Sequence, residues 1–147
     1  MRDDLSAAEF EEGPEGFPDR LAISLVPQSA AAARDAVTAL LTTQFCALAG
    51  PEMTADVVVA DALLVTSELV TNAVVHGGGV TGFAAELHGD GLTITVSDAS
   101  PDLPVDRAGA AGWVGGYGWT LVCRLATRVV VDAGPGGKSI TALVAMA

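Results

Sequence analysis

The apolar residues of this chain follow two rhythms that change several times along its length. "LAISLVP" (21–27) alternates apolar and polar positions, as a half-buried strand does, and Pro27 ends it. "SAAAARDAVTALLTTQFCALAG" (29–50) turns to a helical pattern, opened by the cap residue Ser29 and closed near Gly50. A longer helix is expected over "TADVVVADALLVTSELVTNAVVHG" (54–77), with Thr54 as its cap and Gly77 as its stop. Alternation returns in "VTGFAAELHG" (80–89) and "LTITVSDA" (92–99), two strands joined at "GDG", a hairpin signal.

The next stretch, "SPDLPVDRAGAAGWVGGYG" (100–118), is rich in Pro and Gly and too long for a simple connection. Loops of that length are usually lids or binding loops, or are disordered. "WTLVCRLATR" (119–128) reads as a short third helix, and "VVVDA" (129–133) and "SITALVAM" (139–146) as strands around the turn "GPGGK". This order predicts the α+β class, a two-layer α/β sandwich. Its sheet would be mixed but mostly antiparallel, with the helices on one face.

Composition narrows the picture. A chain of 147 residues fits one domain with a real core, and with aromatics at 5% that core should be Val, Leu and Ala. The net charge of −11, with only seven Lys and Arg, argues against nucleic acid or an anionic membrane as the main partner. Much of that charge lies in "MRDDLSAAEFEEGPEGFPDR" (1–20), which has almost no apolar rhythm and reads as a disordered acidic tail before a domain spanning 21–147. No secretory signal is visible, and the most apolar stretch, Val57 to Val75, is interrupted by Asp61 and Glu68. The expectation is a soluble cytoplasmic domain. Cys46 and Cys123 both fall in helices and are expected to be buried thiols. With two distant histidines they make no metal spacing.

Within the long helix, Glu68, Asn72 and His76 recur in steps of four. Four residues turn an α-helix about 400°, so the three side chains share an arc of about 80°. An ordinary solvated face would explain such a stripe. The rest of this helix, however, is apolar nearly all round, and buried Glu and Asn need partners. Asp61, seven residues before Glu68, adds negative charge that a cation could offset. Downstream, Asp98 ends a strand, where a side chain can project into a site. After the Gly-rich stretch, "GGYG" precedes a helix starting near Gly118, and its bare backbone N–H groups suit a phosphate. "GPGGKS" is not a phosphate loop: that motif needs Gly where Asp132 stands, and it must open a helix.

Taken in order, these segments resemble the bacterial anti-sigma factor and serine-protein-kinase-like ATP-binding proteins of the histidine-kinase-like ATPase superfamily. "SELVTNAVVHGGG" resembles the family's N box, "VSDASPDLP" its first glycine-box region, "GGYGWTLVCRLATR" its second, and "GGKSITALV" its terminal hairpin. The resemblance spans about Leu21 to Ala147. It implies that Asn72 offers its oxygen to Mg²⁺ and that Glu68 is a general base toward a serine hydroxyl or a water. It also implies that Asp98 accepts from the adenine amino group of ATP, and that Gly116, Gly118 and, from the lid, Arg107 approach the phosphates. His76 would support the site or the helix end.

This chain departs from the family pattern in two places. Ala-Ser-Pro follows Asp98 where the wider superfamily has Gly-x-Gly, and Trp119 replaces a common Leu, where it would narrow or cap the nucleotide site. The implied protein is an ATP- and Mg²⁺-dependent regulator with serine/threonine-protein kinase activity. A sigma factor and an anti-anti-sigma antagonist would be its partners, and a homodimer is compatible with it. A nucleotide-gated binding module without kinase activity and a small ATP hydrolase are the competing readings.

Overall fold

In a computed structural model, residues 9–12, 18–48, 56–89, 91–104 and 118–145 are described. Six strands and three helices follow one another as β1 (Glu9–Glu12), β2 (Pro18–Leu25), α1 (Ala30–Leu48), α2 (Asp56–His76), β3 (Val80–His88), β4 (Gly91–Asp98), α3 (Gly118–Leu125), β5 (Arg128–Gly134) and β6 (Gly137–Val144). The strands form one sheet in the order β1-β2-β3-β4-β6-β5. Every adjacent pair is antiparallel, so the sheet is not mixed as expected. The reason is topological: β4 and β5 run the same way, but β6 folds back from β5 and inserts between them.

Period-two alternation separates the two faces of this sheet. Phe83, Ala85 and Leu87 of β3 pair in register with Val96, Ile94 and Leu92 of β4. Those in turn pair with Ile140, Ala142 and Val144 of β6. All nine are buried, and they form the sheet's half of the core. The helices supply the other half through Val37, Leu40 and Leu41 of α1 and Ala62, Val65, Leu69, Val70 and Ala73 of α2. The sheet's other face is short and polar, with cross-strand hydroxyl contacts between Thr95 and Thr141 at 3.1 Å and between Ser97 and Ser139 at 2.7 Å.

Local signals explain the helix ends. Ser29 caps α1 as expected, its hydroxyl accepting from the Ala32 N–H at 3.1 Å. The α2 helix stops where Gly78 takes a φ of 77°, and the Ala73 carbonyl accepts from both Gly77 and Gly79. Thr54, the expected α2 cap, lies outside the described residues. Residues 58–76 are long and apolar enough to cross a membrane by length and composition. Here, however, Ala62, Val65, Leu69, Val70 and Ala73 of that stretch are spent on the core.

Two other expectations change. The segment read as a disordered tail contains β1 and the start of β2, paired with each other as a hairpin. Four residues, "EFEE", are too few to show a period, and backbone pairing to the open edge of β2 depends little on side-chain composition. Residues 1–8 and 13–17 lie outside the described residues. Cys123 is exposed rather than buried. The single buried position of the short α3 is Val122, and a helix turns 100° per residue, which carries the next side chain off that face. The Cys46 side chain lies outside the described residues.

Candidate functional site

Helical spacing puts Glu68, Asn72 and His76 on one side of α2. Glu68 and Asn72 are half-buried, and His76, at the last turn, is exposed. Asn72 and His76 line one wall of a cleft of about 120 Å³. Asp102, Leu103 and Pro104, from the chain after β4, line it as well, and Lys138 and Ile140 of β6 close it. The cleft therefore joins apolar surface to an amide, an imidazole, a carboxylate and an ammonium.

Asp98 lies behind this wall. It continues the buried row of β4 by one more step of two, and its register partner on β6 is Lys138. Both are nearly closed off from solvent, Asp98 at 5% and Lys138 at 7% exposure. The Lys138 Nζ lies 2.9 Å from Asp98 Oδ2, and it donates to Oδ1 at 3.1 Å and to the Ser100 carbonyl at 3.2 Å. Oδ1 also accepts from the Ser100 N–H at 2.9 Å. Burying two charges is costly unless each is paired and hydrogen-bonded, and here both conditions hold. Among the described residues no buried side-chain N or O atom lacks a hydrogen-bond partner.

Two glycines permit close approaches that shape the site. A Cβ placed on Gly77 would meet the Asp98 carboxyl at 2.5 Å, so only Gly lets the end of α2 rest on the end of β4. The contact is sealed by the Ala99 N–H donating to the Gly77 carbonyl at 3.0 Å. At the start of α3, a Cβ on Gly118 would run into Glu68 Oε1, with Glu68 Cδ at 3.1 Å. The Glu68 carboxylate thus stands against a helix N-terminus, where the partial positive charge of the helix favours an anion.

The expected residues are therefore brought together as two neighbouring groups. Asn72 and His76 line the cleft and Asp98 pairs with Lys138 of its lining, while Glu68 and Gly118 meet one turn further back along α2. Arg107 and Gly116 lie outside the described residues, as does Trp113. Trp119, expected to narrow or cap the site, is half-buried and packs against the core. The residue that the sequence reading missed is Lys138. Its signal was a basic side chain at the head of the inward row 138, 140, 142, 144, whose other members are apolar.

No curated protein matches this chain. Residues 23–144, from β2 to the end of β6, match the family profile described as the histidine kinase-like ATPase domain. That span covers most of the chain and contains both groups of site residues, and the chain belongs to the histidine kinase-like ATPase domain family.

Proposed function

We propose that this protein is a cytoplasmic ATP- and Mg²⁺-binding regulator that phosphorylates a partner protein on Ser or Thr, in the manner of an anti-sigma factor kinase. The family match supports nucleotide binding. The observation that supports the site assignment is a cleft lined by both Asn72 and Lys138, with Lys138 ion-paired to Asp98. Leu103, Pro104 and Ile140 offer the apolar surface a purine ring needs. Asp98, ion-paired to the cleft residue Lys138, is a carboxylate able to accept from the purine's amino group. Among the described residues no three His, Cys, Asp or Glu side chains gather as a cation cage. A Mg²⁺ ion would therefore take the Asn72 oxygen and fill its shell with phosphate oxygens and water.

In this reading each residue has a defined task. Asn72 orients the metal end of the nucleotide, and Asp98 selects the base. Gly118, with Gly116 and Arg107 of the preceding segment, meets the phosphates. Glu68 takes the proton of the acceptor hydroxyl. The acceptor would be an anti-anti-sigma antagonist and the regulated partner a sigma factor. A second reading, a nucleotide-gated module without phosphoryl transfer, draws on one specific observation. Glu68 lies against Gly118, and it is not among the described residues lining the cleft with Asn72.

Calorimetry and a transfer assay separate these readings. Asn72→Ala is expected to weaken ATP binding strongly in Mg²⁺ and far less in chelator. Equal binding by both proteins in Mg²⁺ would remove Asn72 from the site. Glu68→Ala is expected to keep ATP bound and to slow transfer to a cognate antagonist by roughly 10²–10⁴-fold. A wild type that binds ATP but labels no co-purified protein leaves the gated module standing.

A further inference from the structure

The cluster around Lys138 carries an inference that rests on the nucleotide reading and extends it to the choice of base. Three acceptors surround the Lys138 ammonium: Asp98 Oδ1, Asp98 Oδ2 and the Ser100 carbonyl. An ammonium has three protons to donate, so this one has little left for a ligand. The carboxylate is less fully used. Among the described residues Oδ1 receives Lys138 and the Ser100 N–H and Oδ2 receives Lys138, and a carboxylate offers about four acceptor positions.

We propose that Lys138 is a positioning residue for purine selection: it holds the Asp98 carboxylate in the orientation that accepts from a 6-amino purine and rejects a 6-oxo purine. The geometry supports each part. Lys138 and Asp98 face each other in strand register, so their separation is fixed by the β4–β6 ladder and not by loops. Ser100 is tied to the same pair through both its N–H and its carbonyl, which leaves the carboxylate no room to swing. Gly77 brings the end of α2 against Cγ and Oδ2 of the same carboxyl group. Among the described residues the remaining charged or titratable groups in the cleft wall are His76 and Asp102.

Loss of the ammonium has a definite chemical consequence. A nearly buried carboxylate without its counter-charge tends to neutralise by taking up a proton. A carboxylic acid offers that proton to a 6-oxo group, and it presents a poorer acceptor to a 6-amino group. Lys138→Met should therefore weaken ATP and improve inosine triphosphate relative to it. A merely structural role would weaken both nucleotides alike.

The test is direct binding of ATP and of inosine triphosphate to the full chain, measured by calorimetry with Mg²⁺ present. Wild type is expected to prefer ATP, and Lys138→Met to lose about tenfold or more of that preference, the scale of one hydrogen bond to a charged group. Lys138→Arg should keep most of the preference, because guanidinium preserves the positive charge beside Asp98. In an Asp98→Asn background, adding Lys138→Met should change the ratio no further, and this double variant also covers the case in which Lys138→Met alone fails to fold. An unchanged ATP-to-inosine ratio in folded Lys138→Met overturns the proposal. So does a selective loss of inosine triphosphate, which would make Lys138 itself the base contact. If wild type binds neither nucleotide, the nucleotide reading fails at its root, an outcome distinct from a failure of the Lys138 assignment.

Discussion

The inward row shared by β4 and β6 is dry at one end and charged at the other. Leu92 faces Val144, Ile94 faces Ala142 and Val96 faces Ile140; one step further, Asp98 faces Lys138. All eight residues are buried, so exposure does not distinguish the two ends. They differ in what each residue needs from its neighbours. The apolar pairs need only close packing, which any well-filled core supplies. The charged pair needs specific partners, which here are each other and the backbone of Ser100. The change from generic to specific requirements falls where the cleft begins, because Ile140 and Lys138 both line it.

That contrast can be broken most severely at the charged end. Lys138→Met leaves Asp98 buried without its cation and is expected to cost about 3–5 kcal/mol of stability. Asp98→Asn in the same chain removes the stranded charge and should return most of the loss, since eliminating both charges is far cheaper than orphaning one. Denaturant unfolding of the single and double variants reads this out. A double variant as unstable as Lys138→Met would show that packing of the lysine stem, and not the charge pair, carries the stability.

In the dry half the expectation is different in kind. Ile94→Ala removes a fully buried side chain from the middle of the row and should cost about 2–5 kcal/mol through lost transfer energy and a residual cavity. No change at Ala142, the partner across the ladder, should recover that loss as cleanly as Asp98→Asn recovers the other, unless it refills the space. Denaturation of Ile94→Ala alone and with Ala142→Val tests this. A loss below about 1 kcal/mol would mean that the sheet collapses around the missing atoms.

The same contrast explains what could be read from the sequence. Elements set by local rhythm were legible: Ser29 as a cap, α2 up to His76, and the hairpin from Val80 to Asp98 all appear where periodicity and turn residues put them. So did the line of Glu68, Asn72 and His76, which follows from helix geometry alone. Lys138 was hidden because its neighbours "GPGG" draw it into a turn, whereas β6 already begins at Gly137. Its meaning also depends on a register with Asp98, forty residues away, that no local pattern contains. The meeting of Glu68 with Gly118 is long-range in the same way, joining two helices through the absence of a side chain. β1 escaped for the opposite reason, being too short to have a rhythm.

The mildest way to sharpen the comparison uses the other face of the same two strands. There Ser97 faces Ser139 with hydroxyl oxygens 2.7 Å apart, one residue before the charged pair in β4 and one after it in β6. If proximity to Asp98 made every neighbouring polar pair indispensable, this one would matter as much as Lys138. Its physics says otherwise. Both serines are only half-buried, so either hydroxyl left alone can turn to water instead of paying a full desolvation cost. A double-mutant cycle of Ser97→Ala and Ser139→Ala should therefore give a coupling of about 0.2–1 kcal/mol, the usual range for a cross-strand pair. ATP affinity should stay unchanged in all three variants, because the side chains point away from the cleft face of the sheet. A coupling of several kcal/mol, or a loss of nucleotide binding in either single variant, would show that the two faces of the ladder are linked and that the specific end of the row extends through the sheet.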